Sequence, residues 1–134
     1  MNFDLVENFY SHFTKNFTSL ESKSFCEILP NEENQNFIVI REVQTYYSKF
    51  EKSVKSEIQI IIQDISFYES KKIAYEIFNF YKDKSYFYLD ENEKIFVTDL
   101  KTDVPISLGR VNNDSYQYSL IFNFLIGENI NENI

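Results

Sequence analysis

The sequence has few of the residues on which disulfide-rich, phosphate-binding and metal-binding proteins depend. Its 134 residues include one cysteine, one histidine, two glycines, two prolines and no tryptophan. A single cysteine excludes an internal disulfide, and two isolated glycines leave no glycine-rich loop for phosphate. No apolar run approaches the roughly 20 residues that span a bilayer. We therefore expect a soluble intracellular protein without a membrane partner.

Positive charge is also scarce. The chain has 13 Lys and Arg residues against 21 Asp and Glu residues, a net charge of −8. The acidic excess lies in residues 1–33 and 90–134, whereas the middle of the chain is nearly neutral. Because an acidic chain repels phosphate backbones, this composition disfavours general binding to nucleic acid.

Apolar and aromatic residues, in contrast, are plentiful. With 14 Phe and 10 Tyr residues and a hydrophobic fraction of 43%, the chain can form a substantial core. Its length suits one domain, which we place over residues 1–126. The remaining segment, residues 127–134 with the sequence GENINENI, is expected to be a polar tail.

The strictest periodic pattern lies near the C-terminus. Between Tyr116 and Ile126, aromatic and aliphatic residues occupy every second position, which predicts a half-buried strand about 35 Å long. The polar cluster at 112–115 just before it favours a reversal of the chain. A strand of this length requires a sheet with which to pair.

The other segments are predicted to form the partner strands of this sheet and the helices that pack on it. Amphipathic spacing predicts one helix over Phe3–Leu20, and Ser66 and Glu69 form a capping box that opens a second. The region 44–55 is either an exposed hairpin extension or a mobile loop. The pattern predicts an α+β fold, a mostly antiparallel sheet with two helices packed on one face. The further predicted strands are 37–43, 56–64, 86–89 and 94–100, and the apolar segment 25–30 is either a short strand or a turn.

Residues suited to catalysis or metal binding are few and scattered. His12 falls on the polar side of the first helix, so we expect a solvated histidine rather than a catalytic base. Cys26 has no basic cluster nearby and is interpreted as a buried or partly buried thiol. The acidic pairs at 32–33 and 90–93 lack the spacing of a calcium loop and are interpreted as solvated turns. We expect no enzyme activity, no cofactor and no metal site.

Two segments favour protein contacts instead. In QTYYSKFEKSVK (44–55), Tyr46, Tyr47 and Phe50 lie among lysines, a pattern that suits base stacking, a protein contact or simple loop packing. The net charge disfavours the first of these. On the strand 56–64, Gln59, Ile61 and Gln63 form a face too polar for a core and too apolar for open water, as in a subunit contact.

Four features of the chain resemble the tail terminator proteins, also called tail completion or minor capsid proteins, of long-tailed bacteriophages and phage-like particles. The strand FIVIREV (37–43) follows the Asn-rich turn NEENQN, and EIQIIIQD (57–64) leads directly into a helix. A P-x-x-x-G step runs from Pro105 to Gly109, and the aromatic closing strand carries Asn123 near its end. The resemblance covers the chain through residue 126. One departure is Arg110, at a position after the glycine where relatives often carry Asp.

The resemblance implies a structural protein of the virion tail, assembled in the bacterial cytoplasm. Such proteins are similar in forming a hexameric ring on the head-proximal end of the tail tube, which stops tube polymerisation and joins the head connector. The implied partners are further copies of the chain, the tail tube protein and the head–tail connector protein. DNA passes through such a ring without being bound specifically.

The candidate interface residues follow from these two lines of argument. They lie in the aromatic segment, on the outer strand face and in the turn after Gly109: Tyr46, Tyr47, Phe50, Gln59, Ile61, Gln63, Arg110, Asn112, Asn113 and Asp114. The alternative hypothesis is a small acidic inhibitor or adaptor that acts by protein–protein contact. A small-molecule binding domain, which requires a deep pocket between helices and sheet, is a third.

Overall fold

The computed structural model describes residues 5–31, 33–47, 54–84, 86–90, 95–111 and 114–128. In these ranges the strands form one sheet in the order β1-β2-β3-β7-β5-β4, and β6 pairs with β7 beside β5. All strand pairs are antiparallel except β1 with β2. The elements in chain order are α1 (Leu5–Asn16), β1 (Ser24–Cys26), β2 (Phe37–Tyr47), β3 (Val54–Asp64), α2 (Phe67–Tyr81), β4 (Phe87–Tyr88), β5 (Ile95–Thr102), β6 (Ile106–Val111) and β7 (Ser115–Glu128).

Strand β7 is the longest element of the sheet and pairs with three others. Residues 116–126 pair with β3 along one edge, while β6 and β5 share the other edge, at residues 115–119 and 122–128 respectively. The strand is longer than predicted and includes the first two residues of the expected polar tail. The rest of that tail lies outside the described residues.

Both helices pack on one face of the sheet, as the sequence predicted. The ring of Phe9 in α1 lies 5.8 Å from the ring of Phe122, and Phe67 at the start of α2 lies 5.9 Å from Tyr118. These strand residues belong to the alternating set that begins at Tyr116. From Tyr118 onwards that set is buried: Tyr118, Leu120, Phe122, Phe124 and Ile126. The opposite side of the sheet, which carries Gln59, Ile61 and Gln63, is called the outer face below.

The helix termini differ partly from the prediction. Helix α1 ends at Asn16, earlier than predicted, and the chain continues as a 3₁₀-helix over Thr18–Lys23 that still buries Leu20. Helix α2 begins as expected, because the Ser66 side chain accepts a hydrogen bond of 3.2 Å from the backbone N–H of Glu69. That bond satisfies one of the free N–H groups at the helix start.

The sheet contains one strand that the sequence did not predict. Strand β6 follows Pro105, and its alternation is interrupted by a bulge between Ser107 and Gly109, where Gly109 adopts a φ of +78°. Glycine occupies this conformation without steric cost. The region 44–55 is a hairpin extension, because Tyr47 pairs with Val54; its tip, residues 48–53, lies outside the described residues.

Candidate interaction face

Three of the candidate residues occupy alternate positions of β3 on the outer face. Gln59, Ile61 and Gln63 alternate with Ile58, Ile60 and Ile62, which are buried beneath the helices. Among the described residues, no helix covers the outer face. Ile61 and Gln59 are half-buried there, as the intermediate polarity of this face predicted, whereas Gln63 is buried.

Hydrogen bonds connect the polar side chains of this face across three strands. The Nε of Arg41 on β2 donates to Oε1 of Gln59 at 2.8 Å, and Nε2 of Gln59 donates to Oγ of Ser119 on β7 at 2.9 Å. Near the end of β3, Nε2 of Gln117 donates to Oε1 of Gln63 at 2.7 Å. The glutamine amides are therefore largely satisfied within the chain, which lowers the cost of removing them from water.

A mostly apolar row, interrupted by Ser119, crosses the sheet between the positions of Gln59 and Gln63. The strand register aligns Phe25 of β1, Val39 of β2, Ile61 of β3, Ser119 of β7 and Ile106 of β6. Val39 is buried, whereas Ile61 is half-buried and Ile106 is exposed. The outer face thus has an apolar centre bordered by internally bonded polar groups, which is the composition of a protein–protein contact.

A shallow groove of about 390 Å³ lies at the opposite end of the same face. Its floor contains charges of both signs: Lys55 and Glu57 on β3 stand across from Asp99 and Lys101 on β5. Among the described residues, these four side chains form no ion pair within the chain. The groove is open and of mixed charge, unlike the enclosed apolar pockets that bind most small molecules.

The remaining candidate residues do not lie beside Gln59, Ile61 and Gln63. Tyr46 is exposed and lines the groove, beside Lys55. Lys55 and Gln63 are eight residues apart on one strand, about 26 Å, so Tyr46 is far from Gln63, whereas Glu57 of the groove is only two residues from Gln59. Arg110 and Asp114 form an exposed ion pair at the β6–β7 turn. Of Tyr47 only the backbone is described, and Phe50, Asn112 and Asn113 lie outside the described residues.

The structure also exposes apolar residues that the sequence analysis did not select. They occur at the two edges of the sheet, at Ile28 and Leu29 after β1 and at Ile106 and Leu108 in β6. The groove residues Asp99 and Lys101 were missed as well. The i, i+2 spacing of Asp99 and Lys101 places both on one face of a strand and was the only signal available.

His12 is less solvated than predicted, because its ring is half-buried. Its Nδ1 lies 2.9 Å from the hydroxyl of Tyr81, and its ring centroid lies 4.9 Å from that of Phe87. Burial, followed by the positive charges of Lys84 and Lys15, lowers the pKa of His12 to about 4. Burial also raises the pKa of Tyr81, so its hydroxyl keeps its proton, and the hydroxyl and the neutral imidazole share one hydrogen bond.

We expect His12 to make stability depend on pH. The pKa is 6.5 in the unfolded chain and about 4 in the fold, so the unfolded state binds more protons between these values. The contribution is complete above pH 6.5 and is lost as the pH falls towards 4. Because the ring is only partly buried, we expect a loss of about 1–2 kcal/mol rather than the full shift.

This effect is measured by urea unfolding at pH 7 and pH 4.5 of the wild type and of His12→Gln. The variant keeps an amide near Tyr81 but does not titrate in this range, and it shares every carboxylate with the wild type. The wild type should lose more unfolding free energy than the variant. Equal losses would show that His12 does not carry the pH dependence.

Cys26 and Asp90 are both half-buried, and Glu32, Glu91 and Glu93 lie outside the described residues. The Cys26 thiol is half-buried, as predicted, and burial together with Glu27 and Glu7 raises its pKa to about 11, so it is protonated near neutral pH. Asp90 accepts a hydrogen bond of 2.9 Å from the backbone N–H of Ile95. In the described ranges, no three His, Cys, Asp or Glu residues are placed to hold a metal ion. Nor does this part of the chain contain a helix of the length and apolarity required to cross a membrane.

Comparison with known proteins adds no relative to this description. No protein-family model matches the chain, and no curated protein matches it.

Proposed function

We propose that this chain is a structural subunit that forms a hexameric ring at the head-proximal end of a phage or phage-like tail tube, where it stops polymerisation and joins the tail to the head. The single observation that supports a contact role is the outer face, with its half-buried apolar row and internally bonded glutamines. The order of sequence motifs supports the choice of a tail terminator among proteins of this kind.

The outer face suits burial against another protein for a specific energetic reason. Burying an unbonded amide costs about 1–3 kcal/mol, whereas the amides of Gln59, Gln63 and Gln117 already have partners within the chain. The exposed part of Ile61 then contributes apolar area at about 25 cal/mol per Å². A contact over this face therefore gains apolar burial with little polar penalty.

The charge of the chain suits the passage of DNA through such a ring. Each copy carries a net charge of −8. Six copies surround the lumen with an acidic surface that repels the phosphate backbone, so DNA passes without being retained. The tail tube protein and the head connector are the proposed partners on the two sides of the ring.

Removal of the gene should change tail length. We expect particles made without this protein to have tails of irregular length, mostly longer than normal, and few heads joined to tails, as seen by negative-stain electron microscopy. A plasmid copy of the wild-type gene should restore both properties, and a copy with Ile61→Asp should restore them poorly.

Native mass spectrometry of the purified protein tests the ring itself. Tails of normal length in the deletion, together with a monomeric purified protein, would refute the proposal and favour the alternative of an acidic inhibitor or adaptor. Ile65→Asp is the matched control for the plasmid experiment. It makes the same substitution at an exposed site between β3 and α2, away from the outer face, so this variant should restore tail length.

A further inference from the structure

The charges of the groove on the outer face alternate in sign in both directions. On β3, Lys55 is followed two positions later by Glu57, and on β5, Asp99 is followed two positions later by Lys101. The strand register places Lys55 level with Asp99 and Glu57 level with Lys101, with one residue of β7 between the members of each pair. Each row therefore has opposite charges on the two sides of β7, and their order reverses from one row to the next.

A third row of the outer face continues this alternation. The Arg41 guanidinium is held beside β3 by its hydrogen bond of 2.8 Å to Gln59, and Gln59 is level with Ile121 of β7. On the other side of β7, directly after β5, the backbone N–H of the exposed Asp103 donates to the carbonyl of Ile121 at 3.3 Å. The positive charge is thus again on the β3 side, as in the row of Lys55.

Strand β7 separates the two columns of charge. Its residues between them are uncharged: Ile121, Asn123 and Leu125. Because neighbouring strands lie about 4.8 Å apart, the backbones that carry the two charges of a row are about 10 Å apart. In the part of the chain that the structure describes, the groove charges accordingly form no ion pair with each other. Each row offers two opposite charges to a partner that covers the face.

This pattern is complementary to a second copy of itself. When a copy is rotated by half a turn about an axis along β7 and placed on the outer face, its β5 lies over β3 and its β3 over β5, while the rows keep their order. Lys55 then faces Asp99 of the second copy, and Glu57 faces Lys101 of the second copy. Each of these pairs occurs twice, because the contact is two-fold. Sheets that pack face to face are about 10 Å apart, a distance that lysine and carboxylate side chains span together.

The apolar part of the outer face matches under the same rotation. Ile61 on β3 and Ile106 on β6 lie on opposite sides of Ser119, and Ile106 is 57% exposed. The rotation places Ile61 of each copy over Ile106 of the other, and Leu125 over its own equivalent. An unrelated partner would have to reproduce both the alternating charges and the apolar row, whereas a second copy already contains them. Charge complementarity therefore favours a second copy as the occupant.

We propose that the free protein pairs face to face with a second copy through the outer face, about a two-fold axis along β7. The contact does not depend on the proposed function. Because it closes at two copies, it leaves the rest of the surface available for the contacts of a ring, and two rings would then stack through it. One consequence rests on the proposed function: the paired face is closed to the tail tube and the connector until one of them displaces the second copy.

Reversal of single charges tests this contact by sedimentation velocity. In Lys55→Glu and in Asp99→Lys, two like-charged pairs face each other across the axis, so each variant alone should have an association constant reduced by about tenfold or more. Each should sediment with half the mass of the wild type, whether the unit that pairs is a single chain or a ring. The two substitutions change the net charge of −8 in opposite directions, so a loss in both does not come from net charge.

An equimolar mixture of the two variants is the decisive measurement. The reversed charge of each variant then faces the reversed charge of the other, and the remaining Asp99 and Lys55 also face each other, so the mixture should regain the mass of the wild type. A chain that carries both substitutions should do the same. Lys71→Glu makes the same reversal on the exposed surface of α2, on the other side of the sheet, and should pair as the wild type does.

The outcomes separate this inference from the proposed function. A mixture that keeps half the mass would overturn the inference, and so would a wild type that does not pair up to about 0.5 mM. Equal loss of pairing in Lys71→Glu would have the same meaning. In each of these cases the tail-length experiment still decides the function separately. Glu57→Lys and Lys101→Glu repeat the test in the neighbouring row, and far-UV circular dichroism confirms that every variant is folded.

Discussion

Replacing Phe122 by alanine should destabilise the fold by about 3–5 kcal/mol, the usual cost of removing a fully buried phenylalanine. Its ring lies at the centre of the helix–sheet contact, with ring centroids 5.8 Å from Phe9 in α1 and 5.3 Å from Tyr81 in α2. On the same strand, Phe124 lies 6.1 Å away. The substitution leaves a cavity bordered by both helices and the central strand, which these rigid rings cannot fill by local adjustment.

The measurement is equilibrium unfolding in guanidinium chloride, followed by far-UV circular dichroism at a low protein concentration. Because domains of this size have total stabilities of about 5–15 kcal/mol, the midpoint should fall by about a fifth or more. Tyr68→Ala is the control, since Tyr68 is an exposed aromatic on α2 whose removal should cost less than about 0.5 kcal/mol. Similar losses in the two variants would contradict the position of Phe122 at the centre of the core.

The central strand was predictable because its two faces have different environments. One face of β7 is buried under the helices, so selection for burial produces the strict alternation from Tyr116 to Ile126. The same reasoning identified β3 and its outer face. Strand β6 escaped prediction because its residues are mostly exposed and a bulge shifts the register between Ser107 and Gly109. In an exposed edge strand with a bulge, polar and apolar residues do not alternate regularly along the sequence.

His12 shows a second limit of sequence analysis. Its position on the helix places it beside polar neighbours, and spacing along one helix contains no information about a residue 69 positions away. The partner, Tyr81, is the last residue of α2, and Phe87 lies on the short strand that follows. Only the packing of both helices on the same sheet brings these rings together.

The candidate interface was predictable in part for the same reason. The alternation of β3 places Gln59, Ile61 and Gln63 on one face, but their partners Arg41, Ser119 and Gln117 belong to strands distant in sequence. The free energy required to bury these glutamine side chains depends on those partners. Likewise, the apolar residues at Ile28 and Ile106 become opposite edges of one surface only through the order of the strands.

Two adjacent isoleucines of β3 distinguish the core from the outer face in a single experiment. Ile60 is fully buried beneath the helices, and Ile61, the next residue, is half-buried on the outer face. We expect Ile60→Ala to lower the free energy of unfolding by about 2–5 kcal/mol and Ile61→Ala by less than about 1 kcal/mol. The two substitutions remove the same atoms from the same strand, so any difference reports the environment alone.

The same pair also separates folding from assembly. Under the proposed function, Ile60→Ala should assemble as the wild type does while it remains folded, since its side chain does not reach the outer face. Ile61→Ala should keep its fold but restore normal tail length less well, because the row that we propose to face the tube or connector loses its central member. Equal destabilisation by both substitutions would mean that the outer face is as deeply packed as the core, and a chain with two such faces has no surface of the kind that the proposed contact requires.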